Sequence, residues 1–401
     1  MKRILLIVSW LSFIGCAGTN ARQQQGKPVV YTLNLAVLEK NKKAISANDP
    51  VLIPAYKILL KDAKQALDFA PVSVMEKKNI PPSGNKHDYM SLAPYHWPDP
   101  TKVDGLPYIR KDGQTNPEVK EYKDKEYMPA LCGHVNTLAL AYYFSGDKMY
   151  AAHAAKLLRV WFLDTATRMN PNLNFAQAIK GVNTGRGAGL IDTRHFVKVI
   201  DAIGLLQNST YWTSEDQKGM QQWFTQFLNW MQTSKNGIDE MKTKNNHGAW
   251  YDAQRLAMAL YIGDAAAAKK IALNAADRLD KQMDADGKFP EEMVRTISLH
   301  YTTFVMHAFF AIANMSDKAG VDLWNLVTPT GKSLQKGFDA LHPYITKEKE
   351  WEGPQIKAFD FEDAYPILME ATTRFNCKKC KEEIRMLAGD KAQRLRINLL
   401  Y

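Results

Sequence analysis

The sequence predicts an all-α fold, an α/α toroid of six or seven helical hairpins with long irregular loops over a cleft. Three observations predict it. Apolar residues recur at helical spacing, as in Met220, Trp223, Phe224, Phe227 and Leu228, and again in Ala154, Leu157, Leu158 and Trp161. Residues 138–147 and 256–264 echo one another: in each, an apolar helix stops at Gly and an Asp stands ready to cap the next helix. Extended alternation of apolar and polar residues is rare, which disfavours all-β and Rossmann folds. Roughly a dozen helices fit between residues 50 and 387, enough for about six hairpins.

Taken in order, residues 1–21 read as an export signal. Lys2 and Arg3 form a charged start, residues 4–14 a short apolar run, and Gly15, Cys16, Ala17 and Gly18 a small-residue end. The run is too short to span a bilayer. Residues 13–16 also form an imperfect lipobox, with Phe13 where leucine is commoner, so a lipid anchor at Cys16 stands beside cleavage after Ala17 or Ala21. Either way the expected location is outside the cytoplasm, periplasmic or as an outer-membrane lipoprotein. Residues 22–401 read as a single catalytic domain. A hydrophobic share of 46% over 401 residues excludes a disordered chain.

Residues 79–129 break the helical pattern. They carry prolines at 81, 82, 94, 98, 100, 107, 117 and 129, with Tyr89, Tyr95, His96, Trp97, Tyr108, Tyr122 and Tyr127 between them. Proline at that density prevents a continuous helix. Long ordered loops are often functional, and aromatic faces suit sugar rings. Residues 181–189 are glycine-rich, but no strand is expected before them and no phosphate-loop lysine follows. A backbone passing close to a ligand or a helix end fits them better. Residues 192–195 then open a helix, and Ser214 with Gln217 reads as the capping start of another.

The net charge of +10 favours polyanionic partners. The basic residues are spread along the chain without a nucleic-acid motif, so nucleic acid is not expected. For an exported protein the remaining polyanions are chiefly acidic polysaccharides. Cys377 and Cys380 are spaced to close a small disulfide, and no further Cys or His at ligand spacing suggests zinc. Cys132 sits in an apolar context and is expected to be buried.

Two segments carry candidate chemistry. Residues 244–251 set Asn245, Asn246 and His247 at the start of an apolar helix, followed by Trp250 and Tyr251. Amide donors and an imidazole at a helix N-terminus suit an anion, although an N-cap followed by a core histidine gives the same pattern. Residues 290–304 hold Arg295, His300 and Tyr301. Six helical steps of about 100° set Arg295 and Tyr301 roughly 240° apart. They converge only if the segment is irregular or the arginine reaches around; otherwise Arg295 pairs with Glu291 or Glu292 and Tyr301 is core.

These motifs resemble the alginate lyase family of α/α-toroid polysaccharide lyases. Asn245-Asn246-His247-Gly248, with Trp250 and Tyr251, is followed about fifty residues later by Arg295-Thr296, Ser298-Leu299-His300 and Tyr301. Tyr95, Trp97, Arg110, Gly113, Asn116 and Glu118 in the proline-rich stretch resemble the family as well. The resemblance runs from about residue 81 to 304. It implies that Asn246 and His247 hold and neutralise a uronate carboxylate, with Arg295 beside a catalytic Tyr301. Tyr95, Trp97, Arg110, Arg194, Trp250, Tyr251 and His300 are the further expected substrate contacts.

The implied reaction is β-elimination. A base removes H5, the C4 oxygen leaves, and a C4=C5 double bond forms. The enolate-like intermediate is the barrier, so neutralising the carboxylate matters most. A nearby Arg favours phenolate, so Tyr301 is expected to serve as base and then acid. H5 and O4 are syn in β-glucuronate and β-mannuronate, so one tyrosine suits those sugars; glucuronan is expected first and polymannuronate next. The scheme requires no cofactor and no metal. The alternatives are a toroid glycoside hydrolase using a pair among Asp192, Asp252, Glu291, Glu292, Asp360, Glu362 and Asp363, or a non-catalytic exported glycan-binding protein.

Overall fold

The computed structural model describes residues 26–401, so the export signal and Cys16 lie outside the described residues. In chain order the helices are α1 (Leu35–Ser46), α2 (Ile53–Leu67), α3 (Lys123–Ser145), α4 (Lys148–Leu158), α5 (Phe196–Leu206), α6 (Ser214–Thr233) and the short α7 (Lys235–Met241). There follow α8 (Asn246–Tyr261), α9 (Ala265–Gln282), the single turn α10 (Pro290–Met293), α11 (Ser298–Lys318), α12 (Leu334–Ile345), α13 (Tyr365–Arg374) and α14 (Cys380–Ala388). None among the described residues is long and apolar enough to cross a membrane.

Burial sorts these helices into two layers. In α5 nearly every side chain is buried, whereas α9 buries one stripe: Ala268, Ile271, Ala272, Ala275 and Leu279. Helices α3, α5, α8, α11 and α13 pack each against the next as the inner layer. Outside them, α4, α9, α12 and α14 return against α3, α8, α11 and α13. Helix α6 lies over α5 and α8, with Trp223, Phe224 and Phe227 packed edge-to-face around Phe196. This is an α/α toroid built from successive inner–outer hairpins, with α1 and α2 ahead of them. The C-terminal turns Gly389–Arg394 and Arg396–Leu399 pack on α2, and the first of them also packs on α14.

Local chemistry sets the boundaries. Gly146 ends α3 in the left-handed conformation at φ 75°, and Asp147 caps α4. Asp264 caps α9 in the same way, as the sequence echo predicts. The start of α6 is one residue earlier than expected: Thr213, not Ser214, is the cap, and its reciprocal partner is Asp216 rather than Gln217. Asp216 also receives Arg159 at 2.8 Å, a tie that no local pattern shows. Pro129 lies inside α3 rather than before it, so the irregular stretch ends sooner than the prolines suggest.

Four short strands lie over one end of the toroid: β1 (Met90–Leu92), β2 (His96–Trp97), β3 (Ile109–Arg110) and β4 (Phe175–Ala178). Strand β1 pairs parallel with β4, and β2 antiparallel with β3, setting His96 opposite Arg110. A strand therefore does precede the glycine-rich stretch. It is too short to carry a strong alternating signal. The glycines serve close approach: a Cβ at Gly187 would lie 2.8 Å from the Asn236 carbonyl of α7, and one at Gly189 would lie 2.5 Å from the Ala176 Cβ.

The segment before α1 is tied to the inner layer. The Tyr31 and Thr32 N–H groups donate to the buried Asp201 carboxylate on α5 at 2.5 and 3.0 Å. One turn on, a Cβ at Gly204 would fall 1.8 Å from the Val29 carbonyl oxygen. Gly204→Ala should therefore destabilise the fold by about 1–3 kcal/mol, the usual cost of overpacking. Denaturant unfolding against the parent chain measures it; an unchanged midpoint would show that the segment moves aside freely.

Candidate active site

A cleft of about 490 Å³ opens where the irregular segments cross the end of the inner helices. Tyr301, His247, Asn246 and Arg295 all line it, as do Tyr95, Arg110, Arg194 and His300. Three expected contacts do not. Tyr251 is fully buried and its hydroxyl donates to the Met231 carbonyl at 2.9 Å, so it is a core residue. Trp250 packs behind Phe304, with ring centroids 5.2 Å apart, and Phe304 is the cleft residue. Trp97 lies beside the cleft residue His96, its indole N–H donating to the Gln114 carbonyl and its ring under Lys111.

Arg295 and Tyr301 meet because the helix is interrupted. Helix α10 stops at Met293 and α11 starts at Ser298. Between them, Ile297 bridges to Gln355, and the Ile356 N–H donates to the Thr296 carbonyl. The Arg295 guanidinium carbon then sits 3.6 Å from the Tyr301 ring centroid. Its charge is held by Asp112 through two contacts, Nε at 3.0 Å and Nη2 at 2.7 Å. Arg295 thus pairs neither with Glu291 nor with Glu292.

Asp112 collects Arg110 at 2.7 Å and the Thr296 N–H at 3.1 Å as well. Burial pushes its carboxyl up, but the hydrogen bonds from Arg295, Thr296 and Arg110 outweigh that and hold it well below the usual carboxylate range.

The phenol of Tyr301 donates to the Tyr95 hydroxyl at 2.9 Å. Burial raises its pKa far above the ordinary value, Tyr95 adds to the rise, and Arg295 pulls down without overcoming it. A phenolate was the sequence-based expectation. In the unliganded cleft the desolvation cost wins, and Tyr301 is a neutral phenol.

His247 and Asn246 start α8, where Asn245 is the cap. His247 Nδ1 lies 2.6 Å from a carboxylate oxygen of Glu240, which is buried on α7. That carboxylate accepts the hydrogen bond of Nδ1, which orients the ring and leaves Nε2 on its other side. The Asn246 side-chain amide donates to Glu292 at 2.7 Å, and its backbone N–H donates to the other Glu292 oxygen. The His247 N–H is taken by the Asn245 side chain. The helix N-terminus is therefore already satisfied and is no open anion site: of the two readings of this segment, the N-cap holds, with Asn245 as the cap. Asn246 keeps one amide hydrogen and an unpaired Oδ1.

Positive charge enters the cleft by another route. Arg186 stands just before the 3-10 segment Gly187–His195 and Arg194 in its last turn; both line the cleft and form no ion pair among the described residues. Arg186 donates to Gln177 at 3.0 Å and has an unpaired Nε; Arg194 donates to the Ile191 carbonyl at 3.1 Å. Burial lowers the pKa of both, yet a guanidinium stays charged in proteins. His96, between Arg186 and Arg110, is pushed down to about 4 by burial and by those two charges, so it is neutral.

The sequence reading missed Arg186, Glu240 and Asp112, and gave Glu292 a different partner, Arg295, from the Asn246 that it holds. Arg186 stood in the glycine-rich stretch that was already singled out. Glu240, on a short polar helix, carried no signal. Of the carboxylates considered for a hydrolase, only Asp363 lines the cleft. Asp192 is buried among Tyr89, Ser91, Gln177 and Lys125, and Asp252 is paired with Arg278.

The alginate lyase family model matches residues 73–351. The chain belongs to the alginate lyase family. An alginate lyase structure from Bacteroides ovatus is 42% identical, with TM-score 0.88, over 93% of this chain and 98% of that one. Alginate lyase A1-III in a histidine-to-alanine variant complexed with tetrasaccharide is 16% identical, with TM-score 0.60, over 95% of this chain and 97% of that one. Alginate lyase A1-III from Sphingomonas species A1 matches at 16% identity and TM-score 0.51, over 88% of this chain and 96% of that one. At that identity the last two speak for the toroid alone. No curated protein matches the chain. Alginate lyase family membership makes the protein a polysaccharide lyase, a carbon–oxygen lyase, and sets aside the hydrolase and the non-catalytic binder.

Because Asp112 has a depressed carboxyl pKa in the folded state, its contribution to stability is complete above the ordinary aspartate value of about 3.9 and is lost as pH falls through the folded value. Denaturant unfolding of the parent and of Asp112→Asn should differ by the full amount near neutral pH, and the difference should begin to shrink only below about pH 4. A gap independent of pH would mean that the ion pair with Arg295 does not form.

Proposed function

We propose that this lyase cleaves β-1,4-linked polyuronate by β-elimination, with the polymannuronate stretches of alginate as first substrate and glucuronan as second. The observation that carries the reading is the pair of half-buried guanidinium groups of Arg186 and Arg194, which form no salt bridge among the described residues and line one cleft with Tyr301 and His247. A half-buried cation without a carboxylate in contact with it suits an anionic ligand. A uronate carboxylate supplies one per residue of polymer. The order of substrates follows the relatives, which are alginate lyases by name. Mannuronate and glucuronate differ at C2, and no cleft residue here reads that difference.

The uronate carboxylate binds among Arg186, Arg194 and the remaining amide hydrogen of Asn246. Charge that develops on it as H5 departs is then stabilised by groups fixed beforehand. His247 takes H5 through Nε2, and Glu240 stabilises the imidazolium that forms. Tyr301, a neutral phenol, gives its proton to the departing C4 oxygen. The phenolate left behind has the Arg295 guanidinium over its ring, 3.6 Å from the ring centroid, and that positive charge lowers the cost of the step. Asp112 holds Arg295 there.

This division moves the base from Tyr301 to His247. Acid and base on separate residues admit anti as well as syn elimination, so polyguluronate joins the substrates to be tested. Residues 1–21 carry the export pattern, and the proposed place of action is the periplasm or the outer membrane, with Cys16 as the point of lipid attachment.

Two experiments test the reading. In a panel of polymannuronate, polyguluronate, glucuronan, hyaluronan and chondroitin, ultraviolet absorption of the new double bond should rise first on polymannuronate. Absence of signal on every polyuronate would end the proposal. Tyr301→Phe should lose roughly 10²–10⁴ of turnover and still bind oligosaccharide. His247→Gln should lose a similar factor; if it keeps turnover on polymannuronate while Tyr301→Phe does not, the base is Tyr301 itself.

A further inference from the structure

Cys377 and Cys380 form a disulfide at the start of α14. The bond joins residues only three apart, and so short a loop removes little entropy from the unfolded chain. Stapling alone leaves its surroundings unexplained. His342 reaches it from α12, and Glu383 from one turn along α14. His342 Nε2 lies 2.7 Å from the Glu383 carboxylate, and both side chains are buried. Lys379 approaches the other carboxylate oxygen of Glu383 at 3.4 Å, from the exposed side. One ligand atom from each of His342, Cys377, Cys380 and Glu383 lies within 4.8 Å of the other three. Glu383 stands three residues after Cys380 on α14, and the tertiary fold brings His342 to it from α12.

We propose that the reduced chain binds one Zn²⁺ through Cys377, Cys380, His342 and Glu383, so that the metal ties α12 to α14 where the disulfide closes only the turn at the start of α14. Two thiolates, an imidazole and a carboxylate make a closed tetrahedral donor set. Zinc bonds of about 2.0–2.3 Å set the ligand atoms roughly 3.3–3.8 Å apart. The four side chains reach that by a small inward shift, with the two sulfurs separating. Thiolate ligands also select zinc over the hard cations Ca²⁺ and Mg²⁺.

The exchange is balanced. A dithiol reductant breaks the Cys377–Cys380 bond by thiol–disulfide exchange and leaves as its own disulfide. Two electrons and two protons pass to the cysteine sulfurs. Zn²⁺ then displaces both thiol protons to solvent and takes the His342 ring through Nε2. An oxidised dithiol reverses the step and releases the metal.

The test uses the full chain. One sample stays oxidised. The other is reduced with a water-soluble phosphine, which ends as phosphine oxide with its oxygen from water and is removed without air. Both are titrated with Zn²⁺, and with Co²⁺ as a visible reporter of thiolate ligation. The reduced chain should bind one equivalent of Zn²⁺ and show thiolate-to-cobalt absorption, and the oxidised chain neither. His342→Ala and Glu383→Gln should each weaken zinc binding more than about tenfold, with circular dichroism reporting intact helices. Should His342→Ala lose helicity, His342→Gln is read in its place. A reduced chain that binds no zinc overturns the proposal. So does equal binding by oxidised and reduced chains, or by the parent and a Cys377→Ser, Cys380→Ser double variant, because the metal then sits elsewhere.

Discussion

The candidate site depends on the ion pair between Asp112 and Arg295. Asp112 comes from the proline-rich loop, Arg295 from the gap between α10 and α11, and 183 residues of chain separate them. The pair spans the cleft's two walls. It clamps the loop that carries Tyr95 and Arg110 to the helix that carries Tyr301. It also sets where the guanidinium lies, flat over the Tyr301 ring rather than out in solvent. A bidentate, part-buried pair has the geometry that makes such an interaction worth more than a surface contact. Its value here is positional: it brings a hydroxyl, a phenol and a cation into one small volume.

Burial supplies the complementary constraint. Desolvation disfavours any charge within the cleft, and each group escapes it differently. Tyr301 remains neutral. Asp112 is ionised because three donors face it. Glu292 has its carboxyl raised by burial, against two hydrogen bonds from Asn246 that pull it down. Arg186 and Arg194 keep their charge without a salt bridge among the described residues. Two guanidinium groups therefore face the cleft, and a bound anion complements them. Binding and the lowering of the elimination barrier then draw on the same guanidinium groups. The charge they neutralise grows from one to nearly two as H5 leaves, so they interact more strongly with the transition state than with the substrate.

The all-α class and the inner–outer hairpins were legible because periodicity and capping are local. Met220 to Leu228 and the Gly–Asp pairs at 146–147 and 263–264 could be read from a few residues each. The site motifs were legible through Asn246, His247, Arg295 and Tyr301, which form compact strings. What escaped depends on tertiary packing. Tyr251 follows Trp250 in a motif that looks functional, yet the helical turn points it into the core. Glu240 precedes His247 by seven residues, and only the bend between α7 and α8 brings it to the imidazole. The strand β4 is four residues long and pairs with a segment 85 residues earlier, at Met90. No window along the chain contains that pairing.

The same distinction explains why an interrupted helix makes a better site here than a continuous one. Along an unbroken α-helix Arg295 and Tyr301 would face roughly 240° apart. Ending α10 at Met293 frees four residues, whose backbone groups must find partners elsewhere. They find them in Asp112, Pro354 and Ile356: the Thr296 N–H donates to Asp112, the Ser298 N–H to the Pro354 carbonyl, and the Thr296 carbonyl accepts from Ile356. Two loops distant in sequence are thereby pinned to the gap. The irregularity is not slack in the fold. It is the point at which backbone hydrogen bonding, normally spent within a helix, is redirected to hold the walls of the cleft at a fixed separation. A rigid wall of this kind lets a neutral phenol and a stacked guanidinium keep their alignment when the substrate arrives.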